Sequence, residues 1–291
     1  MSDYVQSHSD KIDFNTSDSW VIMSEIEQSI KGKIEAVGIP LRDWDIQINY
    51  GIKTGYNDAF VITTDKRDEI LANCQNDEER ARTSEIIRPI LRGRDIKRYG
   101  FDWDDLDGLW LINTHNGVKE KYPPVDIKNY PAIKQHLDLY WDKISKREDQ
   151  GVTPYNLRNC AYMDDFNKPK IMWKRVGSIL RFSFDDTGKL GLDSTCFATG
   201  TEIAYLCCVL NSPMGHFLLK DAPKTGTGDL LISVQAVEPI KVPKLEDSSL
   251  FATYLQRYTS GDTDVEKEIN SQIYALYNLS EEEIDYIEKY Y

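Results

Sequence analysis

Residues 170–188 read Lys-Ile-Met-Trp-Lys-Arg-Val-Gly-Ser-Ile-Leu-Arg-Phe-Ser-Phe-Asp-Asp-Thr-Gly. Apolar and aromatic residues recur in two runs, Lys170–Val176 and Ile179–Phe184, and a turn of the Asp-Asp-Thr-Gly type follows at 185–188. This pattern predicts strands of a sheet. Because side chains alternate across a strand, Trp173 and Arg175 share one face and Lys174 lies on the other, so one of the two basic residues must point away from the core or lie at its rim. We expect Trp173 to be a core residue.

Further strands are predicted on both sides of this stretch, at Asp45–Tyr50, Ala59–Thr63, Gly108–Thr114 and Leu230–Val234. In the first of them, three apolar residues alternate with Gln47 and Asn49, which is typical of a half-buried strand. The loop that follows, residues 51–55, is bounded by two glycines that are free to take positive φ.

Helical spacing predicts helices around these strands. Ser24 and Glu27 have the spacing of a capping box, and Ser280 and Glu283 repeat it in a helical tail. Residues 131–146 begin with proline in the first turn and carry one apolar stripe, which predicts an amphipathic helix. Other helices are predicted at Glu78–Ile87 and Thr201–Leu210. The fold class is therefore α/β, with helices and strands mixed along the chain.

The composition describes a chain that can bury a real core. It has 291 residues, of which 41% are hydrophobic and 11% aromatic, and this excludes disorder as its main state. No apolar run approaches the roughly 18 residues of a membrane helix. Residues 1–8 lack the basic start and the apolar segment of a secretory signal. We therefore predict a cytoplasmic protein without a membrane partner.

The net charge of −13 argues against a polyanionic partner, but its distribution does not. Residues 1–30 have a net charge of −5 and residues 244–291 have −7, so the middle of the chain is close to neutral. Within the middle, residues 80–100 carry seven basic and two acidic side chains, and residues 168–182 carry five basic side chains and no acid. Local basic segments of this kind are what contact with phosphate requires.

The sequence contains none of the common catalytic or metal motifs. The five cysteines show no CxxC spacing, so free, buried thiols are expected, and the four histidines form no metal-binding pattern. The glycine-rich cofactor loop and the Asn/Asp-Pro-Pro-aromatic motif of amino-methyltransferases are missing, as are a P-loop and a nucleophile elbow. We expect no catalytic residue, no metal site and no cofactor in this chain.

Several segments in a fixed order carry a resemblance to a known family. They are Trp44-Asp45, Gly51–Phe60, Arg88–Tyr99, Pro154–Arg158, Phe166–Trp173, Tyr205–Ser212, Pro239–Pro243 and Ile273–Ile284. Over residues 20–290 the chain resembles the TaqI-like C-terminal specificity domain, the target-recognition module of adenine-specific DNA methyltransferases and type IIG restriction-modification enzymes. The resemblance implies a mixed-sheet target-recognition domain with flanking helices and a helical C-terminal tail.

The resemblance also implies partners. This chain would correspond to the C-terminal part of a larger enzyme and would recognise a sequence in double-stranded DNA. The N-terminal methyltransferase or endonuclease portion, in the same or a separate chain, would hold S-adenosylmethionine and Mg²⁺. Since the sequence begins with its own methionine, it is either a truncated chain or a separately encoded recognition chain. The implied organisation is a linker or the end of an upstream region at 1–22, the recognition domain at 23–245 and a C-terminal helical segment at 246–291.

Candidate DNA contacts follow from the chemistry of each segment. The glycine-bounded loop offers Lys53, Thr54 and Asn57 as donors to base edges, unless it is only a tight hairpin with solvated polar groups. Basic side chains that would contact phosphates are Arg88, Arg92, Arg94, Arg98, Lys174 and Arg175, and the polar loop that contains Lys224 and Thr225 is a third candidate.

Alternatives remain for this surface and for the chain. The four arginines between residues 88 and 98 could instead form salt bridges with the nearby Asp102, Asp104, Asp105 and Asp107. The acidic chain could also be an interaction module that mimics DNA and binds a methyltransferase partner. A small-molecule enzyme with an unrecognised site is a further interpretation.

Overall fold

The computed structural model of the chain describes residues 24–104 and 107–291. The predicted linker at 1–22 and Asp105 lie outside these ranges. The described helices are α1 Glu25–Val37, α2 Asn57–Phe60, α3 Thr64–Ala72, α4 Asp77–Ile86, α5 Pro131–Asp138, α6 Trp141–Ile144, α7 Ile203–Asn211, α8 Pro213–Leu218, α9 Val234–Val237, α10 Ser249–Thr259, α11 Val265–Leu276 and α12 Glu281–Tyr290. Short 3₁₀ turns lie at Leu41–Asp43, Ile127–Asn129 and Met163–Asn167. The strands are β1 Ile39–Pro40, β2 Ile46–Tyr50, β3 Val61–Thr63, β4 Ile87–Leu91, β5 Leu109–Ile112, β6 Lys170–Lys174, β7 Val176–Gly177, β8 Phe182–Asp185, β9 Leu190–Gly191, β10 Thr195–Gly200, β11 Leu230–Leu231 and β12 Lys241–Val242.

A four-stranded antiparallel sheet with the order β2-β10-β6-β8 forms the centre of the molecule. Its strand β10 pairs Phe197 with Asn49 on one side and with Met172 on the other. The sequence analysis did not find β10. Five consecutive residues of this strand, 195–199, are buried, so the alternation that identifies a half-buried strand is missing.

A second four-stranded sheet has the order β3-β5-β4-β9. Its first three strands are antiparallel, whereas β4 and β9 run parallel through residues 90–91 and 190–191. Two-stranded pairs join β1 to β12 and β7 to β11. The predicted fold class, α/β with helices flanking a mixed sheet, is confirmed.

The central sheet separates two hydrophobic cores. On one face, Ile171 and Trp173 of β6 pack with α1, α7, α8 and the C-terminal helices α10–α12. On the other face, Met172 and Phe197 pack with the second sheet and α5. The alternation predicted for β6 is therefore confirmed, and Trp173 is a core residue with 1% of its surface exposed.

Both predicted capping boxes form. The Ser24 hydroxyl accepts a hydrogen bond from the Glu27 amide at 3.4 Å, and the Glu27 carboxylate accepts one from the Ser24 amide at 3.2 Å. Ser280 and Glu283 repeat the arrangement at the start of α12. Each described helix of residues 24–104 and 107–291 is too short or too polar to span a bilayer.

Three predicted elements were wrong in part. Of the predicted strand Leu230–Val234, only Leu230–Leu231 forms β11, because Val234 begins the helix α9. Ala59 and Phe60 belong to the short helix α2 rather than to a strand. Both side chains are fully buried, and a helical turn can direct two consecutive side chains into the core, whereas a strand directs them to opposite faces. The predicted helix at 131–146 is broken between α5 and α6. At the break Leu139 is 77% exposed, and Trp141 turns outward to pack on Tyr155, with ring centroids 5.2 Å apart.

Candidate nucleic-acid interface

Lys174 and Arg175 lie where one strand changes partners. β6 pairs with β10 up to Lys174, and β7 pairs with β11 from Val176 onward. Between them, the Arg175 amide donates to the carbonyl of Ser194 at 2.9 Å, and the Arg175 carbonyl accepts from the Ile232 amide at 2.8 Å. The backbone is therefore fixed on both sides, and both basic side chains leave the sheet at its end. As predicted, Lys174 is exposed, and Arg175 is half-buried.

The loop after β4 lies directly against Lys174. The Gly93 amide donates to the Ser194 hydroxyl at 3.2 Å. A Cβ at Gly93 would lie 2.7 Å from Cγ of Lys174, so only glycine allows the aliphatic part of this lysine to cross the loop. Arg94 follows immediately and is exposed. The sequence positions 94 and 174 thus meet on one surface.

The glycine-bounded loop joins the same surface from the other side. The Asp193 amide donates to the Ile52 carbonyl at 3.0 Å. A Cβ at Gly51 would lie 1.9 Å from the Leu192 carbonyl oxygen, so Gly51 is needed for close approach, whereas only Gly55 has a positive φ, of 73°. Lys53 follows this contact and is exposed, with its ammonium 2.7 Å from the Asp149 carboxylate.

A hairpin at residues 224–230 extends the surface beyond β7 and β11. Lys224 and Leu230 form its bridge, and the Thr225 amide donates to the Asp229 carbonyl at 2.8 Å. Gly228 completes the turn with a φ of 88°. Lys224 is exposed, and its ammonium has no hydrogen bond or ion pair within the described residues. The hairpin therefore presents a free cation beside the β6–β7 switch.

These contacts bring together the segments that carry six exposed or half-buried cations, which we call the cation strip: Lys53, Arg94, Arg158, Lys174, Arg175 and Lys224. Arg158 was not among the predicted residues. Its guanidinium lies 3.2 Å from the carboxylate of Asp149, which also pairs with Lys53, so two cations share one acid. Among the described residues, the side chains of the other four make no hydrogen bond or ion pair.

Three of the predicted arginines are engaged within the fold. Arg88 donates to the Gly188 carbonyl at 2.6 Å and to the Asn167 side chain at 2.7 Å, and its burial lowers the pKa of the guanidinium. Arg92 makes a two-point ion pair with Asp95 at 2.8 and 2.9 Å. Arg98 pairs with Glu266 and donates to the Asn211 carbonyl at 2.7 Å. Contact of these three with DNA stays a prediction.

The polar residues of the two loops have local roles. Thr54 is 2% exposed, and its hydroxyl donates to the Asn57 carboxamide oxygen at 2.6 Å. The hydroxyls of Thr225 and Thr227 lie 2.8 Å apart. Thr54 and Asn57 therefore shape the loop that carries Lys53. Contact of Lys53, Thr54 and Asn57 with bases, and of Thr225 with the DNA backbone, stays a prediction.

Arg147, which the sequence analysis did not single out, holds two loops of this surface together. Its guanidinium is buried and donates to the carbonyls of Thr54 and Asn156, to Asp149 at 2.8 Å and to Pro154 at 3.0 Å. It also lies over the ring of Phe60, 4.4 Å from the centroid. Burial lowers the pKa of Arg147 to about 10. No carboxylate of the described residues forms an ion pair with it, so it acts as a donor to backbone carbonyls. The lone arginine in a polar segment gave no signal of this role.

Lys170, counted in the basic segment at 168–182, is neutralised inside the fold. Its ammonium is fully buried and lies 2.5 Å from the Asp185 carboxylate. Asp185 also accepts from the Thr187 amide and the Lys189 amide, each at 2.9 Å. These donors and the cation hold the pKa of Asp185 below its ordinary value despite burial. This pair is structural.

The inner side of the cation strip borders a groove of about 530 Å³. It is lined by Tyr50, Gly51, Ile52, Cys160, Ala161 and Tyr162, and by five polar residues that we call its rim: Lys53, Arg158, Asn159, Arg175 and Asp193. Burial raises the pKa of the Cys160 thiol and of the Tyr162 hydroxyl to about 12, so both are protonated at neutral pH. The groove therefore offers donors and one carboxylate but no activated nucleophile in its lining.

All five cysteines are free thiols, as expected, and four of them are buried, whereas Cys74 is partly exposed. In the part of the chain that the structure describes, no three side chains of histidine, cysteine, aspartate or glutamate come together in a way that would hold a metal ion. The expected absence of a metal site and of a cofactor stays a prediction.

Comparison with known proteins agrees with the fold. The chain is similar to the type IIL restriction-modification enzyme MmeI, solved in complex with DNA, with 10% identity and a TM-score of 0.59 over 87% of this chain and 36% of that one. It is also similar to the type IIG restriction endonuclease BpuSI, with 15% identity and a TM-score of 0.50 over 87% of this chain and 33% of that one. The chain thus spans about a third of each structure. No curated protein is significantly similar in sequence. The model of the TaqI-like C-terminal specificity domain matches residues 88–235, about half of the chain, and the chain therefore belongs to that family.

Proposed function

We propose that this chain binds double-stranded DNA sequence-specifically, as the specificity portion of a restriction-modification adenine methyltransferase or endonuclease. The observation that carries the proposal is the cation strip. Segments far apart in the sequence, around residues 53, 94, 174 and 224, meet at one end of the central sheet, and four of the strip's six cations have no partner within the described residues.

Unpaired cations on adjacent loops suit the backbone of a duplex. Phosphate contacts of Lys and Arg supply the salt-dependent part of DNA affinity, and they set the register from which other side chains reach the bases. The groove beside the strip carries polar side chains that can donate hydrogen bonds to base edges or accept hydrogen bonds from them. Family membership and a structural neighbour that was solved with DNA support this function.

The proposal includes a catalytic partner. Since the chain spans about a third of its structural neighbours, we propose that a methyltransferase or endonuclease portion, in the same or another chain, carries the chemistry. S-adenosylmethionine and Mg²⁺ would bind there. The proposal also includes a recognition domain at 23–245, a C-terminal helical segment at 246–291 and a cytoplasmic location.

Selection from a random duplex library tests the function. The purified chain is incubated with the library at moderate salt, and the retained DNA is sequenced. We expect one short motif to be enriched. A variant with Arg94→Ala, Lys174→Ala and Lys224→Ala should retain far less DNA, whereas Lys267→Ala, which removes an exposed cation of the acidic tail, should behave like the unaltered chain. If the unaltered chain retains no duplex even at low salt, the proposal is wrong and an acidic module that mimics DNA becomes the better reading.

A further inference from the structure

Two charged side chains in the groove have no partner. Arg175 and Asp193 are both half-buried and line the same cavity, yet among the described residues neither side chain makes a hydrogen bond or an ion pair. By contrast, Lys53 and Arg158 on the same rim are both paired with Asp149. Because both side chains line an open groove without a partner in the fold, their donors and acceptors are available to a ligand that enters it.

The backbone around both residues is fixed. Arg175 is bonded on both sides at the strand switch, to Ser194 and Ile232. Asp193 donates its amide to the Ile52 carbonyl at 3.0 Å, and two residues further the Thr195 amide donates to the Leu192 carbonyl at 2.8 Å. Side chains on rigid elements hold a recognition geometry better than side chains on free loops.

The presence of a carboxylate decides what this part of the groove can accept. Asp193 lines the groove together with Arg175 and would repel a phosphate that entered there, so this part of the groove suits a neutral base edge better than the DNA backbone. Base edges in the major groove offer the opposite chemistry to each group. The arginine fork donates to O6 and N7 of guanine, and a carboxylate accepts from N4 of cytosine.

We propose that Arg175 and Asp193 together read one G·C base pair of the recognition sequence, with Arg175 on the guanine and Asp193 on the cytosine. This assignment rests on the proposed function. It separates Arg175, which is half-buried and lines the groove together with Asp193, from Arg94, Lys174 and Lys224, which are exposed, lie outside the groove lining and are the proposed phosphate contacts.

The test repeats the library selection with matched variants. Arg175→Lys keeps the charge but loses the two-point fork. We expect it to lose the preference for one G·C pair, with affinity for the original motif reduced about 5- to 150-fold, the range that corresponds to 1–3 kcal/mol for a two-point contact. Lys174→Arg, one residue away, should keep the motif.

Asp193→Ala provides the second measurement. If Asp193 only lies near DNA, its removal weakens repulsion and raises affinity for every duplex. If it reads cytosine, affinity for the original motif falls, affinity for unrelated duplex rises, and the lost preference is at the same base pair as in Arg175→Lys. Thermal unfolding of each variant verifies that the fold is intact.

The outcomes separate the two proposals. An unaltered chain that retains no DNA, or that retains DNA without a motif, contradicts the proposed function and removes the basis of this assignment. An unaltered chain with a clear motif, together with an Arg175→Lys variant that selects the same motif with the same affinity, overturns the assignment alone. A uniform gain of affinity in Asp193→Ala would do the same.

Discussion

The salt dependence of DNA binding measures how many cations of the strip contact phosphate. Arg94, Lys174 and Lys224 have no acidic partner among the described residues, and Lys53 and Arg158 share one carboxylate and so contribute about one net charge. If each net charge neutralises one phosphate, about four counterions are involved, and the slope of log K against log salt should be about −3.6. Raising the salt from 50 to 200 mM should therefore weaken binding by about 150-fold.

Lys174→Ala removes one of these contacts without disturbing a hydrogen bond or an ion pair of the described fold. The slope should become about −2.7, and the same change of salt should weaken binding only about 40-fold. Arg94→Ala should give the same result. We would measure affinity for a fluorescently labelled duplex by anisotropy at five or six salt concentrations.

Lys267→Ala is the matched control for net charge, because its side chain is 87% exposed and lies on α11. It should leave the slope unchanged. If the slope of log K against log salt is the same for Lys174→Ala, Arg94→Ala and Lys267→Ala, the strip does not contact phosphates and the assignment of this surface is wrong. A slope much steeper than −3.6 for the unaltered chain would mean that the arginines engaged within the fold, Arg88, Arg92 and Arg98, also contact phosphates.

Three further predictions concern the stability of the fold. Asp185→Asn leaves the buried ammonium of Lys170 without its anion, so the free energy of unfolding in urea should fall by about 3–5 kcal/mol. Replacing both residues by apolar ones should recover only part of the loss, because the amides of Thr187 and Lys189 would lose their acceptor. Arg147→Met removes the donor of four backbone carbonyls and should cost at least about 2 kcal/mol; an unchanged urea midpoint would contradict its role. Burial lowers the pKa of His136, so the unfolded chain binds the proton more readily and the free energy of unfolding should fall as the pH drops below about 6.5, with a flatter profile in His136→Gln.

Local signals in the sequence predicted much of the fold. The two capping boxes form because each depends only on residues three apart. Strand β6 was predicted because Ile171, Met172 and Trp173 form a continuous apolar run, although Lys170 at its start is buried as well. Strand β10 was not predicted because its buried residues, Thr-Cys-Phe-Ala-Thr at 195–199, form neither a polar–apolar alternation nor a continuous run of large apolar residues. The break after α5 depends on the packing of Trp141 on a distant tyrosine.

The candidate site was harder to predict because the partners of its cations are distant in sequence. The alternative considered for the arginines between 88 and 98 was pairing with Asp102, Asp104, Asp105 and Asp107, whereas Arg92 pairs with Asp95. Instead, Arg98 pairs with Glu266, and Arg88 donates to Gly188. No local pattern distinguishes these residues from Arg94, which has no ion pair within the described residues.

The same distinction explains why net charge is a poor guide to the partner of this chain. Of the seven basic residues between 80 and 100, Arg92, Lys97 and Arg98 are held in ion pairs. Lys170 is likewise neutralised by Asp185, whereas Lys174, four residues along the same strand, has no ion pair within the described residues. Since screened interactions act over about 8 Å at physiological salt, a duplex responds to the unpaired cations that it touches rather than to the whole-chain sum of −13. Removing one unpaired cation should therefore matter more to DNA affinity than removing several that the fold has already neutralised.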